Sequence, residues 1–160
     1  MFRSILVPVD AGEASEKALT FALDLAAAQR ADVWICHIPV RSAASRIGSH
    51  IPFSRDAAET QWDDALRSGR AILDVARDRA DEYGVRAKTA LGAGLPADAI
   101  VEFAERESVD LIVMGSNGNE GPMRGLVSST TDAVIRRAPV PVVVVGPDAA
   151  WLEAAPLSAI

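Results

Sequence analysis

Five short apolar runs, three of them unbroken, set the strongest limit on how this chain folds. Ile5-Leu6-Val7-Pro8-Val9, Leu111-Ile112-Val113-Met114 and Val142-Val143-Val144-Val145 are continuous rather than alternating. A continuous run is apolar on both faces of a strand, as a parallel strand covered by helices on both sides requires. Val33-Trp34-Ile35-Cys36-His37-Ile38 is the second run in chain order, and Arg86-Ala87-Lys88-Thr89-Ala90-Leu91 is the third and most polar.

The stretches between the runs carry helical periodicity. Residues 14 to 30 place Ala14, Ala18, Phe21, Ala22 and Leu25 on one face, with Glu16, Lys17 and Asp24 off it. Residues 58 to 83 repeat the pattern with Trp62, Leu66, Leu73, Ala76, Ala80 and Tyr83, and Gly84 follows where a left-handed cap suits glycine. A third helix starts near Pro96 and buries Ile100, Val101 and Ala104. A fourth starts near Ser129, with Asp132 in its first turn and Arg136-Arg137 in its last, both complementing the helix dipole.

Strand and helix alternate throughout, which predicts an α/β fold with a doubly wound, five-stranded parallel sheet and helices on both faces. The polar third strand and the fifth, flanked by Pro141, suit the edges. Strands one, two and four then lie inside, and the order 3-2-1-4-5 satisfies this. It creates a switch point between strands one and four, where open α/β sheets bind ligands beyond the carboxyl ends of the strands. Residues 1–146 are expected to form one domain and residues 147–160 a tail carrying Trp151 and Leu152. The stretch 39–57 reads as an unusually long loop.

A net charge of −6 argues against a general nucleic-acid binder, which needs a basic face. It leaves room for a small anion, because helix N-terminal amides bind phosphate locally. The single cysteine, Cys36, lies in an apolar run and reads as a buried thiol in a reducing compartment. No apolar stretch approaches the ~20 residues of a membrane span, and the opening Met1-Phe2-Arg3-Ser4 leads into a strand rather than a signal peptide. A cytoplasmic protein is expected.

The switch point directs attention to two loops. Pro8-Val9-Asp10-Ala11-Gly12 follows strand one. Met114-Gly115-Ser116-Asn117-Gly118 opens a polar, glycine-rich stretch that runs on to Ser128-Ser129-Thr130-Thr131 at a helix start. Glycines let backbone approach phosphates, and hydroxyls with free helix amides can donate to them. On composition alone, a plain strand-to-helix loop with capping hydroxyls accounts for the stretch equally well.

Gly115-x2-Gly118-x9-Ser128-Ser129 resembles the nucleotide loop of universal stress proteins, Gly-x2-Gly-x9-Gly-Ser/Thr. The following Thr130 to Val142, the opening Ile5-Leu6-Val7-Pro8-Val9-Asp10, and Cys36-His37-Ile38 are similar to that family's segments in the same order, over roughly residues 3 to 146. The resemblance implies an ATP-binding stress-response or regulatory protein that acts by binding, with at most slow hydrolysis. Whether Mg²⁺ accompanies the nucleotide stays open. By position, Pro8, Val9 and Asp10 would line the adenosine pocket, Ile38 would close the adenine side, and Met114 and Gly115 would contact the ribose. Gly118, Ser128, Ser129 and Thr130 would hold the phosphates. Ser128 departs from the family's glycine, so the second reading is a nucleotide-free dimeric interaction module of the same fold.

The valine-rich fifth strand would leave an uncharged edge open to pairing. The resemblance implies a homodimer through 142–145, against which stands a monomer whose residues 147–160 cover the edge. Other chemistries lack support. No G-x-x-x-x-G-K-[ST] occurs, and His37 and His50 have no Cys/His spacing for a metal. Gly92-x-Gly94-x-x-Ala97 matches a dinucleotide fingerprint, but Met114-Gly115 stands where its acidic partner belongs. No catalytic residue is assigned. Arg41, Arg46 and Arg55 are read as solvated charges of the 39–57 loop.

Overall fold

In the first strand, β1 (Ser4–Pro8), neighbouring side chains part to opposite sides of the sheet, and each side is buried. Ile5 and Val7 enter one apolar cluster and Leu6 the other, as the two-residue period of a strand dictates. The computed structural model describes residues 1–40, 55–116 and 130–146. After β1 come α1 (Glu13–Gln29), β2 (Asp32–His37), α2 (Arg55–Glu82), β3 (Ala87–Leu91), α3 (Pro96–Arg106), β4 (Leu111–Gly115), α4 (Thr130–Arg137) and β5 (Val142–Val145). The strands form one parallel sheet in the order β3-β2-β1-β4-β5, as the sequence predicts.

The helices divide between the faces. Leu19, Ala22 and Leu23 of α1 and Leu73, Ala76 and Ala80 of α2 pack with Ile5, Val7, Val33, Ile35 and Val113. Ile100, Phe103 and Ala104 of α3 and Val134 of α4 pack with Leu6, Cys36, Ile112 and Met114 on the other side. Arg137 of α4 donates to the Asp98 carboxylate in the first turn of α3, tying that pair of helices together. Cys36 is buried in this second cluster, and burial pushes its thiol up to about 12, so it remains protonated and apolar in character.

Local expectations hold with a few corrections. Gly84 takes the left-handed backbone (φ +65°) and closes α2, with its N–H donating to Asp81 and the Val85 N–H to Ala80. Asp24 is buried (3 % exposed), not off the buried face. The alanines of α1 let it settle close to the sheet, so its covered arc runs through Ser15, Leu19, Leu23 and Asp24 while Phe21 and Leu25 are half-buried at its flank. Arg55 opens α2 instead of belonging to the preceding loop. Arg41, Arg46, His50 and the tail 147–160 lie outside the described residues.

Gly69 and Gly115 are demanded by contact rather than by backbone angle. Gly69 sits in mid-helix, where glycine costs about 1 kcal/mol against alanine. A Cβ there would lie 2.7 Å from the His37 ring and 2.8 Å from Leu91. Gly115 is tighter still. A Cβ on it would lie 2.4 Å from both the carbonyl carbon and the oxygen of Ala14 and 2.7 Å from the Ser15 nitrogen. The end of β4 thus lies directly against the first turn of α1, backbone to backbone. Overpacking commonly costs 1–3 kcal/mol where side chains can shift, and here only backbone is available to move. Gly115→Ala is expected to lose about 3 kcal/mol or more, read as a lowered urea midpoint. Wild-type stability in that variant would show that the contact relaxes freely.

Candidate functional site

A cavity of about 430 Å³ opens beyond the carboxyl ends of β1 and β4, where the strand order reverses. Its floor follows from the fold. β1 delivers Pro8, Val9 and Asp10, the residues after β2 deliver Ile38 and Val40, and β4 delivers Met114, Gly115 and Ser116. Pro96 and Ile100 of α3 supply a third wall, and Thr130, Thr131 and Asp132 bring the N-terminus of α4 to the rim. Of the residues predicted from sequence, Pro8, Val9, Asp10, Ile38, Met114, Gly115 and Thr130 line this one cavity. Gly118, Ser128 and Ser129 lie outside the described residues.

The walls differ in chemistry. Val9, Ile38, Ile100 and Met114 are buried apolar side chains, suited to the faces of a flat ring. Asp10 is exposed at the mouth, and its backbone N–H and its carboxylate are each held by a hydrogen bond. Its N–H donates to Ser15 Oγ at 2.9 Å, and its Oδ1 accepts the Gly12 N–H at 2.8 Å. This side-chain turn directs the chain into α1 and fixes the carboxylate, an acceptor suited to sugar hydroxyls. Across the cavity, Thr131 donates its hydroxyl to the Gly115 carbonyl at 3.2 Å and so anchors α4 to β4. The Ser116 N–H donates to the Val145 carbonyl at 2.9 Å, extending the ladder past β4. The first-turn amides of α4 point along the helix axis toward this end, which favours an anion.

His37 also contributes, as a neighbour-satisfied strand residue. Its Nδ1 lies 2.7 Å from the Val9 carbonyl, so Nδ1 carries the proton and donates. The bond joins the ends of β1 and β2 beneath the cavity. Sequence reasoning did not include Ser15, His37, Val40, Pro96, Ile100, Ser116, Thr131 or Asp132 among the site residues. The switch-point rule names strands one and four, whereas Pro96 and Ile100 arrive on the crossover from the edge strand. Ile100 was legible as a buried helix residue, but nothing in its spacing tells core from cavity wall. Among the described residues no group of three or more His, Cys, Asp or Glu side chains is arranged to hold a metal.

Comparison with known proteins places this geometry in a family. The sequence model of the universal stress protein family matches residues 1–146. Universal stress protein MJ0531 of Methanocaldococcus jannaschii is 34% identical over 149 residues, covering 91% of this chain and 82% of that protein. Universal stress protein YxiE of Bacillus subtilis is 31% identical over 147 residues, covering 91% and 99%. Among solved structures, a universal stress protein crystallised in complex with cAMP superimposes with a TM-score of 0.69 at 29% identity, covering 90% of this chain and 97% of that one. The chain belongs to the universal stress protein family.

Proposed function

We propose that this protein binds an adenine nucleotide, ATP in the cell, in the switch-point cavity and acts through nucleotide-dependent binding rather than rapid catalysis. The observation that carries the reading is the cavity itself, which joins an apolar slot, a fixed carboxylate and a helix N-terminus. Its volume of about 430 Å³ falls in the roughly 300–1,000 Å³ range of small-molecule pockets. The relative solved with cAMP supports the same ligand class. In this reading Ile38 and Met114 flank the adenine, with Pro8 and Val9 at the adenosine end. Asp10 accepts from the nucleoside, and Gly115 lets the ribose lie close to backbone. The phosphates extend toward Thr130 and the motif residues Gly118, Ser128 and Ser129. Mg²⁺ would accompany the phosphates as a charge partner, with Asp132 on the same rim. Asp10 is assigned to the nucleoside end, too far along the ligand for a base on a γ-phosphate, and Asp132 is assigned to the metal rather than to a water nucleophile, so hydrolysis is at most slow.

Thermal unfolding with AMP, ADP, ATP and Mg-ATP tests this. A ligand at ~100 times its dissociation constant stabilises by about 2.7 kcal/mol, or about 5–10 °C at this size. The expected result is a saturating rise with adenine nucleotides that Asp10→Ala abolishes. Ser128→Gly is expected to strengthen it. No shift in nucleotide-free protein would favour the interaction-module reading.

The proposal includes a cytoplasmic homodimer. Among the described residues no helix is long and apolar enough to cross a membrane. β5 is a sheet edge paired only to β4 among the described strands, and Val144 is 40% exposed on it. Such an edge invites pairing by a second copy. Val144→Lys should convert a dimer to a monomer in size-exclusion chromatography with light scattering. An unchanged mass, dimeric or monomeric, would remove β5 as the interface.

A further inference from the structure

Gly92 follows β3 as Ile38 follows β2, and the register Leu91↔His37 sets the two side by side. The Gly92 N–H donates to the His37 carbonyl at 2.7 Å, so the pairing continues to this point. A Cβ on Gly92 would lie 2.9 Å from Ile38 Cγ1 and 3.8 Å from its Cδ1. The positive-φ glycines among the described residues are Gly84 and Gly94, so the Gly92 backbone itself would accept an L side chain. What the glycine supplies is room for Ile38. Ile38 is buried against Ile100 and Met114, and all three line the cavity. Gly92 does not line it.

We infer that Gly92 is a positioning residue for the adenine slot, setting its width from behind by letting Ile38 stand back from the cavity. The inference rests on the nucleotide reading above. A β-branched side chain is stiff at χ1, and a close-packed cluster resists compression. A methyl at position 92 therefore drives Ile38 toward the open volume that it lines, the cavity. The slot narrows while the strand pairing and the glycine's backbone conformation stay as they are. Gly92 thus keeps the slot wide enough for a flat ring without lining it.

A double-mutant cycle read by AMP titration calorimetry tests this. Gly92→Ala is expected to weaken AMP about tenfold, the equivalent of ~1.4 kcal/mol of overpacking. In an Ile38→Ala background, where Cγ1 is gone, the same substitution is expected to change affinity by less than about twofold. Thermal unfolding without nucleotide accompanies each variant, and Gly92→Ala should melt cooperatively. If wild type binds AMP and Gly92→Ala binds it equally, the positioning role is overturned while the nucleotide reading stands. It is equally overturned if the tenfold loss persists in the Ile38→Ala background, or if Gly92→Ala folds only when Ile38 is also truncated. A wild type that binds no AMP overturns the nucleotide reading and this inference with it.

Discussion

The backbone contact between Gly115 and the first turn of α1 is the constraint on which the rest of the site depends. A strand end and a helix start meet there with no side chain between them, at distances that leave no space for a single carbon. From that contact the polar fixtures run outward in both directions. Ser15, one residue along α1 from Ala14, accepts the Asp10 N–H and so holds the end of β1. The Gly115 carbonyl accepts the Thr131 hydroxyl and so holds the start of α4. The carboxylate and the helix N-terminus that line the same cavity are thereby referred to one rigid point. Preorganisation of this kind lowers the ordering cost of binding, which otherwise takes about 0.5–1.5 kcal/mol for each flexible side chain immobilised.

In the proposed nucleotide reading, an acidic protein takes an anion. Net charge acts through solvent and is screened over about 8–10 Å at physiological salt. The amides of a helix terminus act within a turn of their position. The local term governs a phosphate seated at the end of α4, so a formal charge of −6 over the whole chain does not oppose it decisively. Nucleic acid is a different matter, since a polyanion samples the whole surface.

Much of this architecture is legible in the sequence. Short unbroken apolar runs such as Leu111–Met114, alternating with helical stretches, suit strands covered on both sides, and Pro141 and the polar Lys88-Thr89 mark the edges. From those facts the strand order and the position of the switch point follow. Asp10, Met114 and Gly115 then fall at the site by topology alone. The misses have a common physical origin. Asp24 is polar by type yet buried, because an alanine-rich helix settles deep enough to cover a wide arc. Gly69 and Gly92 are glycines for reasons that lie far away in sequence, in His37 and Ile38. Periodicity reports which face is covered and is silent about which residue occupies the space opposite. Pro96 and Ile100 show the same limit, reading as helix start and core although they also form a wall of the cavity.

The central claim is that an adenine nucleotide occupies the switch-point cavity, and amide chemical-shift mapping with AMP tests it residue by residue. The account predicts shifts concentrated at Val9, Asp10, Ile38, Met114, Gly115, Ser116 and Thr131, with the β3 edge and the outer face of α2 unmoved. Shifts centred instead on the groove between α1 and α2, around Leu19, Ile72 and Val75, or no shifts at millimolar AMP, would contradict it.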